Sequence, residues 1–269
     1  MTKLEFINTL NLPQGCISSL EKITIRDEWM PLFDTNRVLF FNTIESLGFE
    51  TSFPIFLKLY IEIAYQKAQK LCESERTILI DGLQRLKEDT LSCKKYWNIW
   101  GIMPYEWRFI DHLIDGTVKR LASLEFEEKS YPYPIKVPNL CIDANTTLLN
   151  VHVCTNADLT PEAVKKSFEA AKSYYPNHKF YHIESWMVSP RIKELCNPND
   201  NLYQFQSLWT PYEIIDTNDR MIERVFPEND DISETYISFP EHTRLQRNAK
   251  KLLLLGKKLQ HAKAIYIQK

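Results

Sequence analysis

Glycine is scarce in this chain: there are six in 269 residues, with none between Gly116 and Gly256. A globular chain ordinarily carries about 7%. Any phosphate site in that interval must therefore use the backbone of residues other than glycine. Long apolar runs are missing as well. None approaches the roughly 20 residues of a membrane span, and the amino-terminal MTKLEFINTLNLPQG is too polar for a secretory signal. The six cysteines, Cys16, Cys72, Cys93, Cys141, Cys154 and Cys196, include no C-x-x-C pair, which removes support for zinc and thioredoxin-like readings. Neither sign of charge dominates. A formal net charge of -2 lacks the basic excess of a protein that grips nucleic-acid phosphates. The expectation is a cytoplasmic chain with reduced thiols, no metal and no nucleic-acid or membrane partner.

What is present is an ordinary globular composition, 44% hydrophobic and 25% charged, in a length that suits one large domain or two small ones. Six tryptophans and thirteen tyrosines suggest a well-filled interior or an aromatic-lined cleft. The lysine pairs Lys250-Lys251 and Lys257-Lys258 sit among apolar residues and read as solvated helix faces.

Residues 1–116 read as mostly helical. Phe56, Leu59, Tyr60, Ile63, Ala64 and Leu71 recur at helical spacing between Pro54 and Cys72, with Lys67 the exception, and Ile78, Leu79, Leu83 and Leu86 repeat the pattern. Pro104 suits the first turn of a further helix, and Gly116 can end it. After Gly116 the period changes. Ala122, Leu124 and Phe126 alternate with Ser123, Glu125 and Glu127 as in a half-buried strand. Tyr131 to Asn139, with three prolines, reads as a stiff loop. Leu140 to Asp143 and Thr147 to Val153 read as a hairpin.

The most informative stretch runs from Thr147 to Cys196. It reads as a strand to Val153, a polar turn, a helix from Pro161 capped by Thr160, a strand from Phe180 to Val188 and a short helix from Pro190. Such a unit forms a right-handed parallel crossover, and ligands of open α/β sheets sit at the carboxyl ends of its strands. Leu148, Asn150 and His152 share one strand face; Phe180, His182, Glu184 and Trp186 share a face of the next, with Tyr181, Ile183, Ser185 and Met187 opposite. Leu202 to Trp209 and Met221 to Phe226 read as two further strands. Thr243-x-x-Gln246 is a capping box that opens a helix to about Leu255, with Gly256 closing it. Ala262 to Ile267 is a final strand.

The turn Cys154-Thr155-Asn156-Ala157-Asp158-Leu159-Thr160 precedes a helix amino terminus, whose backbone N–H groups can hold a pyrophosphate. The competing reading is a capped helix without a ligand, favoured by the carboxylate of Asp158. His152 and Glu184 lie on strands that the crossover makes neighbours, and either can take a proton from an amine; the alternative is a satisfied polar pair. Ser185 lacks a G-x-S-x-G elbow. Cys154 reads as a packing thiol. His178 and His182 have i,i+4 spacing, but His182 falls in a strand, so they do not form a metal pair.

Several segments, taken in order, resemble a known family: Leu124-Glu125-Phe126-Glu127, Val151-His152-Val153, Glu184-Ser185-Trp186-Met187-Val188-Ser189-Pro190, Asp200-Asn201-Leu202-Tyr203-Gln204-Phe205 and Pro240-Glu241-His242-Thr243-Arg244-Leu245-Gln246-Arg247. They are similar to bacterial acyltransferase-like proteins that join a helical N-acyltransferase-type amino-terminal domain to a GNAT-like carboxy-terminal domain. The resemblance implies an α+β (α/β) chain: a helical domain over 1–116, then a GNAT-like mixed sheet with flanking helices over 117–269. It implies a sheet splayed between two central parallel strands, ending at Val153 and starting at Phe180, with acyl-coenzyme A in the gap. Val153, Cys154, Thr155, Asn156, Ala157, Asp158, Leu159 and Thr160 then face the coenzyme. Backbone N–H groups near Val153 and Cys154 stabilise the oxyanion, Glu184 or His152 accepts the amine proton, and Tyr181 or Ser185 protonates the departing thiolate.

The chain departs from the Gln/Arg-x-x-Gly-x-Gly/Ala loop usual in GNAT enzymes, having no glycine at that turn. Two functions follow from this reading. One is an acyl-coenzyme A-dependent N-acyltransferase acting on a small-molecule or peptide amine. The other is a catalytically silent GNAT-like scaffold that binds a ligand or protein.

Overall fold

The computed structural model describes residues 1–154, 157–226 and 236–267, and the backbone alone at 104, 105, 108, 219, 220 and 223. The chain divides into two compact units, Met1–Leu121 with Cys154–Asn156, and Ala122–Val153 with Ala157–Lys269.

The first unit is built from helices α1 (Lys3–Thr9), α2 (Gln14–Glu21), α3 (Trp29–Thr35), α4 (Arg37–Glu45), α5 (Phe49–Ala68), α6 (Glu73–Leu83), α7 (Arg85–Trp97) and α8 (Pro104–Asp115), followed by strand β1 (Val118–Leu121). The apolar spacing from Phe56 to Ala64 makes α5 the central helix; Phe56, Leu57, Leu59 and Tyr60 are wholly buried. The helix starts earlier than the spacing predicts, at Phe49, and carries Pro54 in its second turn, where the missing N–H forgoes one bond of the ladder. Trp107 of α8 stacks on Phe56 at 3.6 Å between centroids, accepts the Tyr60 hydroxyl at its carbonyl (2.7 Å), and donates its indole N–H to Ile102 O at 2.8 Å. A buried ionic group sits in the same helices: Arg85 donates to Asp89 at 3.1 Å and to Glu106 at 2.5 Å. Its guanidinium lies over the Phe109 ring at 4.5 Å. Pro104 opens α8 and Gly116, at φ 77°, closes it, as the sequence indicates.

The second unit contains β2 (Leu124–Ser130), β3 (Ile135–Val137), β4 (Leu140–Ile142), β5 (Thr147–His152), α9 (Pro161–Tyr174), β6 (Phe180–Ser185), α10 (Ile192–Leu195), α11 (Asn201–Ser207), β7 (Thr210–Ile215), α12 (Asp219–Val225), α13 (Arg244–Leu254) and β8 (His261–Ile267). The described strands form a mixed six-stranded sheet in the order β1-β2-β5-β6-β8-β7 and a separate β3–β4 pair. This agrees with the α+β arrangement of helices followed by a mixed sheet with flanking helices.

The structure corrects several local expectations. Residues 202–207 and 221–225, expected within strands, belong to helices α11 and α12. Leu202, Phe205 and Gln206 repeat at three- and four-residue steps, as do Met221, Ile222, Val225 and Phe226, and the second set is buried together with Phe239 and Leu253. The strand from Phe180 stops at Ser185, because the Ser185 hydroxyl accepts the Met187 N–H and starts a 3₁₀ turn over Trp186–Val188. The expected loop at Tyr131 to Asn139 contains β3, which takes β4 as its partner in a hairpin. β5 therefore does not pair with β4; it pairs antiparallel with β2. Ala122, expected in a strand, has φ 60° and forms the turn before β2. β7 was not expected at all. It is the outermost strand beside β8, and its register shifts between Pro211 and Glu213.

Candidate functional site

The site is built around the parallel β5–β6 pairing of the second unit. β5 and β6 are joined at Leu149↔Tyr181 and Asn150↔His182. β5 then continues through His152, and β6 through Ser185, without further pairing to each other. By contrast, β2–β5 and β6–β8 each pair over six consecutive positions. The pairing of the two central strands thus stops short of their carboxyl ends.

One face of the sheet is apolar and lies under α9. Phe168 meets Tyr181 edge-on at 4.9 Å and Tyr266 at 4.7 Å, and Phe126 lies 6.0 Å away. Tyr181 is fully buried here, and that burial pushes its hydroxyl up to about 12. A cavity of about 530 Å³ opens between α9 and α11, lined chiefly by Pro161, Val164, Phe168, Phe205, Leu208 and Tyr266. Lys165, Glu169 and Gln204 add polar groups at its wall, Lys165 pairing with Glu169 at 3.8 Å.

The opposite face is polar. Cross-strand partners project to the same side, so the registers place Glu125 beside His152, Glu127 beside Asn150, Asn150 beside His182 and Lys263 beside Glu184. The lower end of this face is closed by Ile135 and Ile142 of the hairpin, packed with Leu148 and Ile265. Above them, His182 is buried and bonded at both ring nitrogens, to the Tyr131 hydroxyl (2.7 Å) and to the Tyr212 hydroxyl (2.9 Å). Asn150 places one end of its carboxamide 2.8 Å from His182 Nδ1 and the other 3.0 Å from His152 Nε2. His152 Nε2 also meets Glu127 Oε2 at 3.0 Å. Glu184 pairs with His261 at 3.5 Å and has about a third of its side chain exposed (35%).

Burial, with the charges of Lys129, Lys263 and His152 adding to it, pulls His182 down to about 3. This has a defined sign. Above pH 6.5 the ring is neutral folded or unfolded and contributes nothing. Between 6.5 and about 3 only the unfolded chain is protonated, so stability falls by about 1.4 kcal/mol per pH unit. Lowering the pH from 7.5 to 5 is expected to reduce the urea-unfolding free energy by about 2 kcal/mol from this group. His182→Gln is expected to remove that part of the slope; an unchanged acid limb in the variant would show that His182 is not its source.

The expected site residues divide between the two faces. His152 and Glu184 share the polar face. Tyr181 lies beneath α9, and Ser185 uses its oxygen to cap the 3₁₀ turn. Val153 follows the end of β5, and Cys154 is buried. Thr155 and Asn156 lie outside the described residues. Asp158 accepts the Thr160 N–H at 2.9 Å, which holds its carboxyl below the usual range, and Thr160 Oγ1 accepts from Ala163 N. The amino terminus of α9 is therefore substantially capped by its own side chains. Ala157 and Leu159 complete the turn, with Leu159 on the wall of the cavity. Glu127, Asn150, Tyr131 and Tyr212 were not singled out from sequence. Glu127 lay in the alternating run after Leu124, but its partner follows only from the β2–β5 register.

Residues 118–266 match the family described as "GNAT-like C-terminal domain". The chain belongs to this family. Among solved structures, a mutant acyltransferase in complex with octanoyl-CoA aligns with a TM-score of 0.76 at 14% identity, covering 98% of this chain and 87% of the other. An acyltransferase in complex with decanoyl-CoA and teicoplanin, and one in complex with CoA and 10C-teicoplanin, each align with a TM-score of 0.73 at 16% identity over the same shares. At these identities the likeness is one of fold, and it extends over the helical unit as well as the GNAT-like one. No curated protein matches the chain. Among the described residues, no group of three or more His, Cys, Asp or Glu is placed to hold a metal ion, and no helix is long and apolar enough to cross a membrane.

Proposed function

We propose that the chain is an acyl-coenzyme A-dependent N-acyltransferase. The observation that carries this reading is the short β5–β6 pairing, two positions long, with a cavity on one side of the sheet and titratable side chains on the other. The cavity between α9 and α11 has an apolar wall that suits a pantetheine arm. The thioester supplies an activated acyl carbon. The amine acceptor approaches from the polar face. Main-chain N–H groups near Val153 and Cys154 stabilise the oxyanion, and His152 or Glu184 takes the amine proton. Holding both reactants at one gap supplies much of the acceleration. Tyr181 or Ser185 protonates the thiolate. The acyl-CoA and glycopeptide ligands of the aligned acyltransferases support this substrate pairing.

A second reading has its own support. The glycine-free turn and the Asp158 cap on α9 suit a GNAT-like scaffold that binds without chemistry. Calorimetric titration with acetyl-, octanoyl- and decanoyl-CoA separates the two. Heat of binding, followed by turnover with an amine panel, is expected for the transferase. Absence of both heat and thermal shift at millimolar ligand favours the scaffold. Glu184→Gln is expected to slow turnover by ~100-fold if that carboxylate is the base; an unaffected rate removes it from the mechanism.

A further inference from the structure

The outer side of α13 carries leucine where a solvated helix carries charge. Leu245, Ala249, Leu252 and Leu253 turn inward onto the cluster that contains Met221, Ile222 and Phe239. Arg247, Lys251, Leu254 and Leu255 are exposed and follow one another at steps of three and four along the other side. Leu254 and Leu255 are 53% and 65% exposed. The helix ends beside them in a Schellman turn: Gly256, at φ 72°, donates to Leu253 O at 2.9 Å, and Lys257 N donates to Leu252 O at 3.0 Å. A methyl group added at Gly256 would meet no atom within 4 Å, so this corner stands clear of its surroundings.

Cations ring the two leucines. Lys251, Lys257 and Lys258 are exposed, and Arg191 fixes the end of the turn by donating from Nε to Lys258 O at 3.1 Å. Two carboxylates close to this stretch already have partners: Glu194 has Arg191 at 2.5 Å and Lys257 at 3.7 Å, and Glu241 has Lys250 at 2.7 Å. Lysines in a last helical turn complement the negative end of the helix dipole, which accounts for Lys251. It does not account for adjacent leucines left in water among them.

We propose that this corner docks on an anionic lipid surface, with Leu254 and Leu255 entering the boundary of the acyl chains while Arg247, Lys251, Lys257 and Lys258 meet lipid phosphates. A lysine stem can lie along a neighbouring leucine and still carry its ammonium up to the headgroups. A protein partner suits the patch less. Lysine is depleted from protein interfaces, whose centres are aromatic and poor in charge. A net charge of -2 over the whole chain does not oppose the contact, because the field of distant carboxylates is screened within a Debye length. The contact is peripheral and does not rest on the acyl-transfer reading. It replaces both the solvated-face reading of the two lysine pairs and the expectation of no membrane partner.

Co-sedimentation of the full chain with vesicles tests this, using phosphatidylcholine alone and an equimolar mixture with phosphatidylglycerol. Binding is expected with the mixture and not with phosphatidylcholine, and should weaken at least ~10-fold between about 0.05 and 0.5 M salt. Lys251→Glu with Lys258→Glu is expected to lower affinity at least ~100-fold, since each cation near such a surface is worth about fivefold and reversal removes it twice. Leu254→Ser with Leu255→Ser is expected to lower it about 10-fold. All four positions are exposed, and an unchanged melting midpoint shows that the variants remain folded. No binding to the mixture, equal binding to both vesicles, or native affinity in either double variant overturns the proposal. Capture by polyglutamate without vesicle binding assigns the patch to an acidic protein instead. A concentration-dependent dimer that the leucine variant abolishes assigns it to a second copy of the chain; either result overturns the lipid reading.

Discussion

Replacing Arg85 with methionine is expected to lower the melting temperature by roughly 10 °C or more. The substitution leaves Asp89 and Glu106, each nearly inaccessible to water, without the guanidinium that bonds them. Breaking a buried ionic group from one side costs about 3–5 kcal/mol, because the remaining charges stay desolvated. In a unit of this size each kcal/mol moves the midpoint by about 3–5 °C. Loss of the cation over Phe109 adds to the effect. The corresponding triple substitution, Arg85→Met with Asp89→Leu and Glu106→Leu, is expected to recover most of the loss, since apolar replacement of a whole buried ionic group is often neutral. Calorimetric scans of the single and triple variants decide this. A single variant that melts within 2–3 °C of native would show that water reaches these carboxylates.

Filling the cavity between α9 and α11 is expected to abolish acyl-CoA binding. Gln204 stands on its wall, on a short helix, and its side chain is only partly buried. Gln204→Trp puts an indole into the space that the coenzyme arm requires while leaving the buried neighbours Phe205 and Val164 in place. A weakening of at least ~100-fold corresponds to about 2.8 kcal/mol, a plausible penalty for displacing an apolar segment of ligand. Titration with decanoyl-CoA measures it, and retained circular dichroism controls for folding. Undiminished affinity in a folded variant would place the coenzyme elsewhere and remove the cavity from the proposal.

The sequence makes the two-part architecture legible because each part has its own period. The α5 positions Phe56, Leu59, Tyr60 and Ala64 repeat as a helix and are buried as one, whereas Thr147 to His152 and Phe180 to Ser185 are short, β-rich and separated by a capped helix. Caps were the most exact signals: Thr160, the Thr243–Gln246 box, Gly116 and Gly256 all fall at helix ends. The failures have physical causes. Residues 202–209 read as a strand, but Phe205 and Gln206 bury one side of a helix over Asn201–Ser207. β7 begins with Thr-Pro, a poor strand signal, yet an outermost strand tolerates a residue without an N–H. The polar face was only half visible. His152 and Glu184 stood out as titratable residues on adjoining strands, while Glu127 and Asn150 acquire their role from a pairing between β2 and β5 that no local pattern specifies. Glu125, expected to alternate outward, is wholly buried for the same reason.

The shifted register at Pro211 and Glu213 bears on how these molecules behave when crowded. A straight terminal strand offers every second amide to any passing chain, the opening event in fibril growth. Here one amide is lost to the pyrrolidine ring, the spacing of the rest is broken, and Glu213 is tied to Lys263 beside it. That rim of the sheet is a poor template, and intermolecular strand recruitment along it is disfavoured even at the high concentrations reached during synthesis.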